Sequence, residues 1–71
     1  MSSRAIEFGN RIKNERLKRN MSLRDVEVKT GITNTALRRY EKGQKGIEIQ
    51  SLINLCLLYD VSADYLLGMK P

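Results

Sequence analysis

The amino-acid sequence predicts an all-α domain built from five short helices. No stretch alternates apolar and polar residues with the β-branched enrichment of a strand. Glycines and N-capping residues instead divide the chain into five segments whose apolar residues recur at helical spacing. With 71 residues the chain has the length of one domain, residues 1–71. Because so small a core is marginal, we expect tight helix packing or dimerisation to stabilise it.

The first helix is predicted to run from Ala5 to Arg19, with Asn20 as its stop signal. The remaining lysines and arginines of this segment are expected to face outward. The inward stripe is expected to combine four apolar residues and one arginine: Ile6, Phe8, Ile12, Arg16 and Leu17.

The second and third helices are separated by a very short turn. Ser22 begins helix 2 through a capping box with the aspartate three residues on, and the helix runs to Thr30. Gly31 ends it, because glycine adopts the left-handed conformation without steric cost. Thr33 is the N-cap of helix 3, which is predicted over Asn34 to about Lys42. Two helices joined by so short a turn with a glycine form a helix-turn-helix unit.

The fourth helix is predicted over Ile49–Tyr59 and is apolar around most of its circumference. We therefore expect it to be buried on more than one side. Ser62 caps a fifth helix over Ala63–Leu67, which Gly68 closes. Cys56 is expected to be an inert packing residue, and a single cysteine fits a reducing compartment.

The charge of the chain is concentrated toward its N-terminal end. The formal net charge is +5, whereas residues 47–71 carry one lysine and three carboxylates. A polyanion is therefore expected to meet the first two-thirds of the chain. The sequence has no apolar run that spans a membrane and no export signal, so we expect a cytoplasmic protein.

Several motifs follow one another at a characteristic spacing. They include the turn Gly31-Ile32-Thr33, the helix ending Tyr40-Glu41-Lys42-Gly43 and the segment Val61–Gly68. With Phe8–Ile12 and Met21–Val26, they make nearly the whole chain resemble the lambda-repressor and Cro (XRE-like) family of helix-turn-helix domains. The resemblance implies a compact five-helix domain whose third helix enters the major groove of double-stranded DNA.

Two residues depart from the family pattern. The family has a small residue at the position of Glu27, because helices 2 and 3 pack closely there. We expect Glu27 either to find a partner, such as Arg38 or Arg39, or to be accommodated by a slight rotation of helix 2, since an unpaired buried charge is costly. Leu23 replaces a glutamine that reaches DNA in many members, so we expect Leu23 to pack or to touch a thymine methyl group in place of that polar contact.

The start of helix 3 carries side chains that suit base edges. Asparagine pairs with adenine, threonine offers a hydroxyl or a methyl group, and arginine forks onto guanine. Helical spacing places Asn34, Thr35 and Arg38 on one face, and Arg39 flanks that face. The resemblance favours Asn34, Thr35 and Arg39 as base readers, while Arg38 reads a base or holds phosphate. Alternatively, Asn34 and Thr35 merely cap the helix and the arginines are solvated.

Residues around this helix are predicted to position the domain. The predicted phosphate contacts are Arg11, Ser22, Lys42 and Lys45. Simple solubility is the alternative for the two lysines. The resemblance also implies a partly buried, structural ion pair that joins helix 1, through Arg16, to the end of helix 3, through Glu41.

The resemblance implies a homodimer formed by the C-terminal helix and the turn before it. Leu57 stands where relatives carry an exposed polar residue, so an apolar dimer patch of Leu57, Tyr65 and Met69 is predicted. The alternative places Tyr65 and Met69 in the core, where Leu66 is expected in any case.

The function predicted from these features is a sequence-specific transcriptional regulator, a repressor that binds a pseudo-palindromic operator as a homodimer. One alternative is a protein-interaction module, such as an antitoxin or a regulator antagonised by a partner protein. Others are an architectural DNA binder without sequence preference and the N-terminal domain of a longer repressor. The chain has no histidine and one cysteine, so we expect no metal site, and we expect no cofactor and no enzymatic activity.

Overall fold

The computed structural model describes residues 3–69 and confirms the all-α fold with five helices. Helices α4 and α5 have the predicted bounds, and the other helix ends lie within two residues of the predicted ones. The helices are α1 (Ser3–Lys18), α2 (Leu23–Thr30), α3 (Asn34–Glu41), α4 (Ile49–Tyr59) and α5 (Ala63–Leu67).

The turn between α2 and α3 is fixed by local hydrogen bonds. The Ser22 hydroxyl accepts from the Asp25 N–H at 3.0 Å, and the Asp25 carboxylate accepts from the Ser22 N–H at 2.8 Å, as the capping box requires. Gly31 ends α2 with a left-handed φ of 79°. Thr33 then caps α3 by accepting from the Ala36 N–H at 3.2 Å. Together, the end of α2 at Gly31 and the Thr33 cap set the angle between α2 and α3.

One apolar core receives side chains from all five helices. Helix α1 packs against α3, α4 and α5, and α2 packs against α3 and α4. Burial of the aliphatic and aromatic side chains in this core is the main favourable contribution to folding. The buried apolar residues are Phe8, Ile12, Val26, Ile32, Leu37, Tyr40, Leu52, Leu55, Tyr59 and Leu66.

Helices α1 and α3 approach each other closely at Gly9. A methyl group on Gly9 would lie 2.6 Å from the Tyr40 carbonyl oxygen and closer still to that of Glu41. Only a hydrogen atom fits between the two backbones, so glycine is required here for packing and not for a turn.

The predicted inward stripe of α1 is partly wrong. Phe8 and Ile12 are buried, but Ile6 and Leu17 are 41% and 50% exposed. Glu15 is buried in their place, at 3% exposure. The buried face of α1 is therefore narrower than the apolar pattern suggests, and its C-terminal half is polar.

The expectation that α4 is buried on more than one side is met only in part, because α4 packs against α1, α2 and α5 but leaves one face exposed. Ile49 and Leu57 are each 75% exposed, and Ile53 is 44% exposed. The three residues recur every four positions and therefore lie along one face of the helix. The opposite face packs on the core, and within residues 3–69 no element covers the outer face. None of the helices within residues 3–69 combines the length and the apolar character of a membrane-spanning segment.

Candidate nucleic-acid interface

Helix α3 presents a polar and basic face to solvent. Thr35, Arg38 and Arg39 are exposed, Asn34 is half-buried, and Leu37 anchors the opposite face in the core. Among residues 3–69, neither arginine forms an ion pair with a carboxylate. The two guanidinium groups are therefore available to an anionic partner, and their planar forks suit phosphate or guanine.

The structure gives Glu27 a different partner from the two arginines expected. Its Oε1 atom accepts a hydrogen bond from Nδ2 of Asn34 at 3.1 Å. Arg38 and Arg39 lie a full turn or more further along α3, beyond the end that faces Glu27. The expectation that Glu27 finds a partner is met, but neither arginine is that partner, which is instead the neutral amide at the first position of α3. Leu23, the other residue that departs from the family pattern, is half-buried and packs against the core.

Four cationic side chains border one depression between α1, α2 and α3, whose volume is about 370 Å³. They are Lys13, Arg16, Arg38 and Lys42, and Leu23 and the Glu41 carboxylate complete the lining. Lys13 is absent from the predicted phosphate contacts. The sequence around Lys13 does not indicate a phosphate contact, because the depression forms only when three helices pack together.

The other predicted phosphate contacts lie in different settings. The Ser22 hydroxyl is occupied by its cap, although the side chain is exposed. Arg11 is half-buried, and its Nη1 donates to the Leu66 carbonyl at 3.5 Å, so it lies against the end of α5. Lys45 is exposed, with its ammonium 5.8 Å from the centre of the Tyr40 ring.

Arg16 and Glu41 form a buried, two-pronged ion pair. Arg16 Nε and Nη2 donate to the two carboxylate oxygens at 2.8 and 2.9 Å, and Nη1 donates to the Met21 carbonyl at 2.9 Å. The side chains are 11% and 7% exposed. The hydrogen bonds to Glu41 raise the pKa of Arg16 despite its burial. This pair fixes the end of α3 against α1 and the turn before α2.

A second polar cluster, unforeseen from the sequence, surrounds the buried carboxylate of Glu15. Lys18 and Arg19 donate to it at 3.0 and 2.8 Å, and the Tyr65 hydroxyl of α5 donates at 2.9 Å. Burial alone would raise the pKa of Glu15, but the three hydrogen bonds together hold it below its ordinary value. Arg19 also donates to the Tyr59 carbonyl and lies over its ring, so the cluster ties α1 to α4 and α5.

The three predicted dimer residues have different neighbours. Leu57 lies beside the end of α2, and Tyr65 is 41% exposed while its hydroxyl is held by Glu15. Met69 is 65% exposed, and its sulfur lies 3.9 Å from Nη1 of Arg4 at the start of α1.

Comparisons with known proteins agree with this architecture. The family model described as "Helix-turn-helix" matches residues 12–66. The HTH-type transcriptional regulator ImmR of Bacillus subtilis is 35% identical over 63 residues, which are 89% of this chain and 50% of that protein. The uncharacterized HTH-type transcriptional regulator YqaE of the same organism is 35% identical over 60 residues, which are 84% of this chain and 52% of that protein. The chain thus spans about half the length of these relatives.

Two solved structures share the fold. The restriction-modification controller protein C.AhdI from Aeromonas hydrophila superposes with a TM-score of 0.85 at 18% identity, over 92% of this chain and 98% of its own. The DNA-binding domain of BldD superposes with a TM-score of 0.79 at 29% identity, over 93% and 97% of the two chains. On the family match and these likenesses, the chain belongs to the helix-turn-helix family of the lambda-repressor and Cro (XRE) type.

Proposed function

We propose that this chain is a DNA-binding transcriptional regulator that reads sequence with α3. The observation that carries the proposal is the uncovered polar face of α3, where Thr35, Arg38 and Arg39 are exposed and both arginines lack an ion-pair partner among residues 3–69. The short capped turn projects this helix from α2 in the manner of recognition helices. The two Bacillus subtilis relatives are named transcriptional regulators, which supports the same role.

In this proposal, base reading and phosphate binding are divided among different residues. Asn34, Thr35 and Arg39 contact base edges in the major groove, and Arg38 contacts a base or a phosphate. Lys42 and Lys45 contact phosphates and position the domain without selecting sequence. Two further phosphate contacts come from Arg11 and from Ser22 with the N-terminus of α2.

We further propose that the chain acts as a cytoplasmic homodimer and as a repressor. Two copies would place their recognition helices ~34 Å apart, one turn of DNA, on a pseudo-palindromic operator. The dimer occupying that site would block a promoter sterically. An apolar surface with Leu57, Tyr65 and Met69 would join the copies, and the high exposure of Leu57 supports its part in that surface.

A second function is favoured by the same exposed aliphatic face of α4. Ile49, Ile53 and Leu57 would also suit a different protein chain, as in a regulator that a partner antagonises. The two functions are compatible, because the α3 face and the α4 face belong to different helices. Co-purification of the chain with a stoichiometric partner, in place of a homodimer, would favour this second function.

The experiment that tests the proposed function is a selection of bound duplexes from random DNA, followed by affinity measurements on two variants. We expect a two-fold symmetric site to emerge. Arg39→Ala should lower affinity for that site by ~1–3 kcal/mol while changing non-specific affinity little, because a forked contact to guanine is lost.

Lys45→Ala is the matched control, since it also removes one positive charge. We expect it to weaken specific and non-specific binding alike and to lower the log–log salt slope by about one. Equal losses on both kinds of DNA for Arg39→Ala would contradict its assignment as a base reader. Enrichment of no sequence at all would contradict the proposed function.

A further inference from the structure

The contact between Glu27 and Asn34 links the support helix of the motif to its recognition helix. Glu27 lies in the middle of α2, is half-buried, and forms no ion pair within residues 3–69. Its Oε1 accepts from Nδ2 of Asn34 at 3.1 Å. A carboxylate is thus placed beside the side chain that opens α3, at the surface where DNA is proposed to bind.

A carboxylate neighbour restricts how an asparagine amide can be turned. The amide has an oxygen that accepts and a nitrogen that donates two hydrogen bonds, and a 180° flip exchanges them. An ionised carboxylate only accepts hydrogen bonds. Glu27 therefore favours the orientation with Nδ2 toward itself and disfavours the flipped one, in which two oxygens would face each other.

The remaining polar atoms of Asn34 suit adenine. After one N–H is given to Glu27, the amide keeps its second N–H and its oxygen. Asparagine reads adenine by donating to N7 and accepting from the N6 amino group, which requires one N–H and one oxygen side by side. A flipped amide would present the two groups in the reverse order and would lose this pairing.

The contact is not required to cap α3. The hydroxyl of Thr33 already accepts from the Ala36 N–H at 3.2 Å, which fills the N-cap role. The side chain of Asn34 is therefore not needed for local capping, and its hydrogen bond to Glu27 reaches seven residues back along the chain to α2. Both partners rest on well-fixed backbone, since α2 starts with a capping box and ends at Gly31.

We propose that Glu27 is a positioning residue that locks the amide of Asn34 in the orientation that selects adenine. The proposal rests on the proposed function. Glu27 also brings a negative charge near DNA phosphates, so it lowers affinity for every sequence while it sharpens preference at one base pair. Glu27 therefore exchanges general affinity for selectivity.

The test uses Glu27→Ala and Glu27→Gln in the whole chain, with duplexes that carry each base at every position of the site selected by the unaltered protein. Both variants should lower the preference for adenine at a single base pair by roughly three- to tenfold. They should also tighten binding to random-sequence DNA a few-fold. Glutamine keeps the volume of Glu27, but it can pair with either orientation of the amide and so cannot impose one.

Two controls separate this role from others. Glu7→Gln removes the same charge from an exposed position on α1 and should leave base preference unchanged. Asn34→Ala should abolish the same preference, and Glu27→Gln added to it should cause no further loss. Thermal unfolding of Glu27→Gln, which preserves shape, checks that the fold persists.

Each outcome bears on one claim. A preference that Glu27→Gln leaves unchanged at every base pair would overturn the positioning role, and so would an equal loss at all base pairs. Failure of the unaltered protein to select any sequence would overturn the proposed function itself, and the inference would fall with it. A local loss shared with Asn34→Ala supports the proposal.

Discussion

Helices α3 and α4 each leave one face uncovered, and the two faces have opposite chemistry. Helix α3 exposes Thr35, Arg38 and Arg39, whereas α4 exposes the aliphatic Ile49 and Leu57. All eleven residues of α4 are uncharged. A polyanion is attracted to the first face, and apolar surface is expected to cover the second. The two helices of one small core therefore expose surfaces that suit chemically different partners.

The two helices are also held in place differently. Helix α3 is tied by polar contacts at both ends, through the Thr33 cap and the Asn34–Glu27 bond at the start and the Glu41–Arg16 pair at the end. Helix α4 has no side-chain cap hydrogen bond at its start, and its buried residues are Leu52, Leu55 and Tyr59. Its polar contacts lie elsewhere: Asn54 donates to the Thr30 carbonyl, and the Tyr59 carbonyl accepts from Arg19. Because hydrogen bonds and ion pairs are directional, the capped start and the buried ion pair at the end fix the orientation of α3.

The largest effect should come from breaking the polar anchor of α3. Glu41→Ala leaves Arg16 buried without its partner and should lower the free energy of unfolding by ~3–5 kcal/mol. Urea unfolding would measure the loss. Replacing both residues with methionine is the control, since removal of both charges should cost much less than removal of one. A loss below about 1 kcal/mol for Glu41→Ala would show that the pair contributes as an exposed one does.

A smaller effect is expected from placing a charge on the uncovered face of α4. Leu57→Glu should weaken dimerisation by at least about ten- to a hundredfold, because each of the two copies loses the burial of one leucine, ~1.5–3 kcal/mol per leucine. Sedimentation equilibrium would measure the change. Leu17→Glu, at a half-exposed position on α1, is the matched control and should leave dimerisation unchanged. An unaltered monomer–dimer balance in Leu57→Glu would remove Leu57 from the dimer surface.

The smallest effect concerns the Glu15 cluster, which ties α1 to the α4 and α5 side. The pKa of Glu15 in the folded chain lies below its ordinary value of 4.5. The ionised form therefore stabilises the fold above pH 4.5, and this contribution is lost as the pH falls through the lowered pKa.

Chemical unfolding at about pH 6 and about pH 3 would measure this loss, which should be about 1 kcal/mol or less because Lys18 is largely exposed. Glu15→Gln should reduce the difference between the two pH values. The Asp25 carboxylate, whose pKa is also lowered by its capping bonds, should account for part of the remainder. An identical difference in both proteins would exclude Glu15 as a source.

Local features of the fold were predictable, because caps and turns are specified by neighbouring residues. Ser22, Thr33 and Ser62 each cap a helix as the sequence indicates, and Gly31 and Gly68 end helices with positive φ. Such bonds span three or four residues, so a short sequence window contains the whole interaction.

Contacts between helices were harder to predict. Burial of Glu15 depends on Tyr65, fifty residues away, and the exposure of Ile49 depends on which helices cover α4. The apolar pattern reports hydrophobicity but not which faces receive a neighbour. Part of the candidate site followed from residue types on α3, whereas the partner of Glu27 depended on where Asn34 lies relative to α2.

The close contact at Gly9 has a consequence for how this protein can change over generations. Helix α3 is held on its buried side by the backbone contact at Gly9 and by the Arg16–Glu41 ion pair. The side chains on its exposed side take no part in these two contacts. Under the proposed function, substitutions at the exposed Thr35 or Arg39 would change the DNA sequence that is selected while the stability of the fold stays nearly constant. A lineage of such regulators can diversify quickly in what it recognises on an unchanged scaffold.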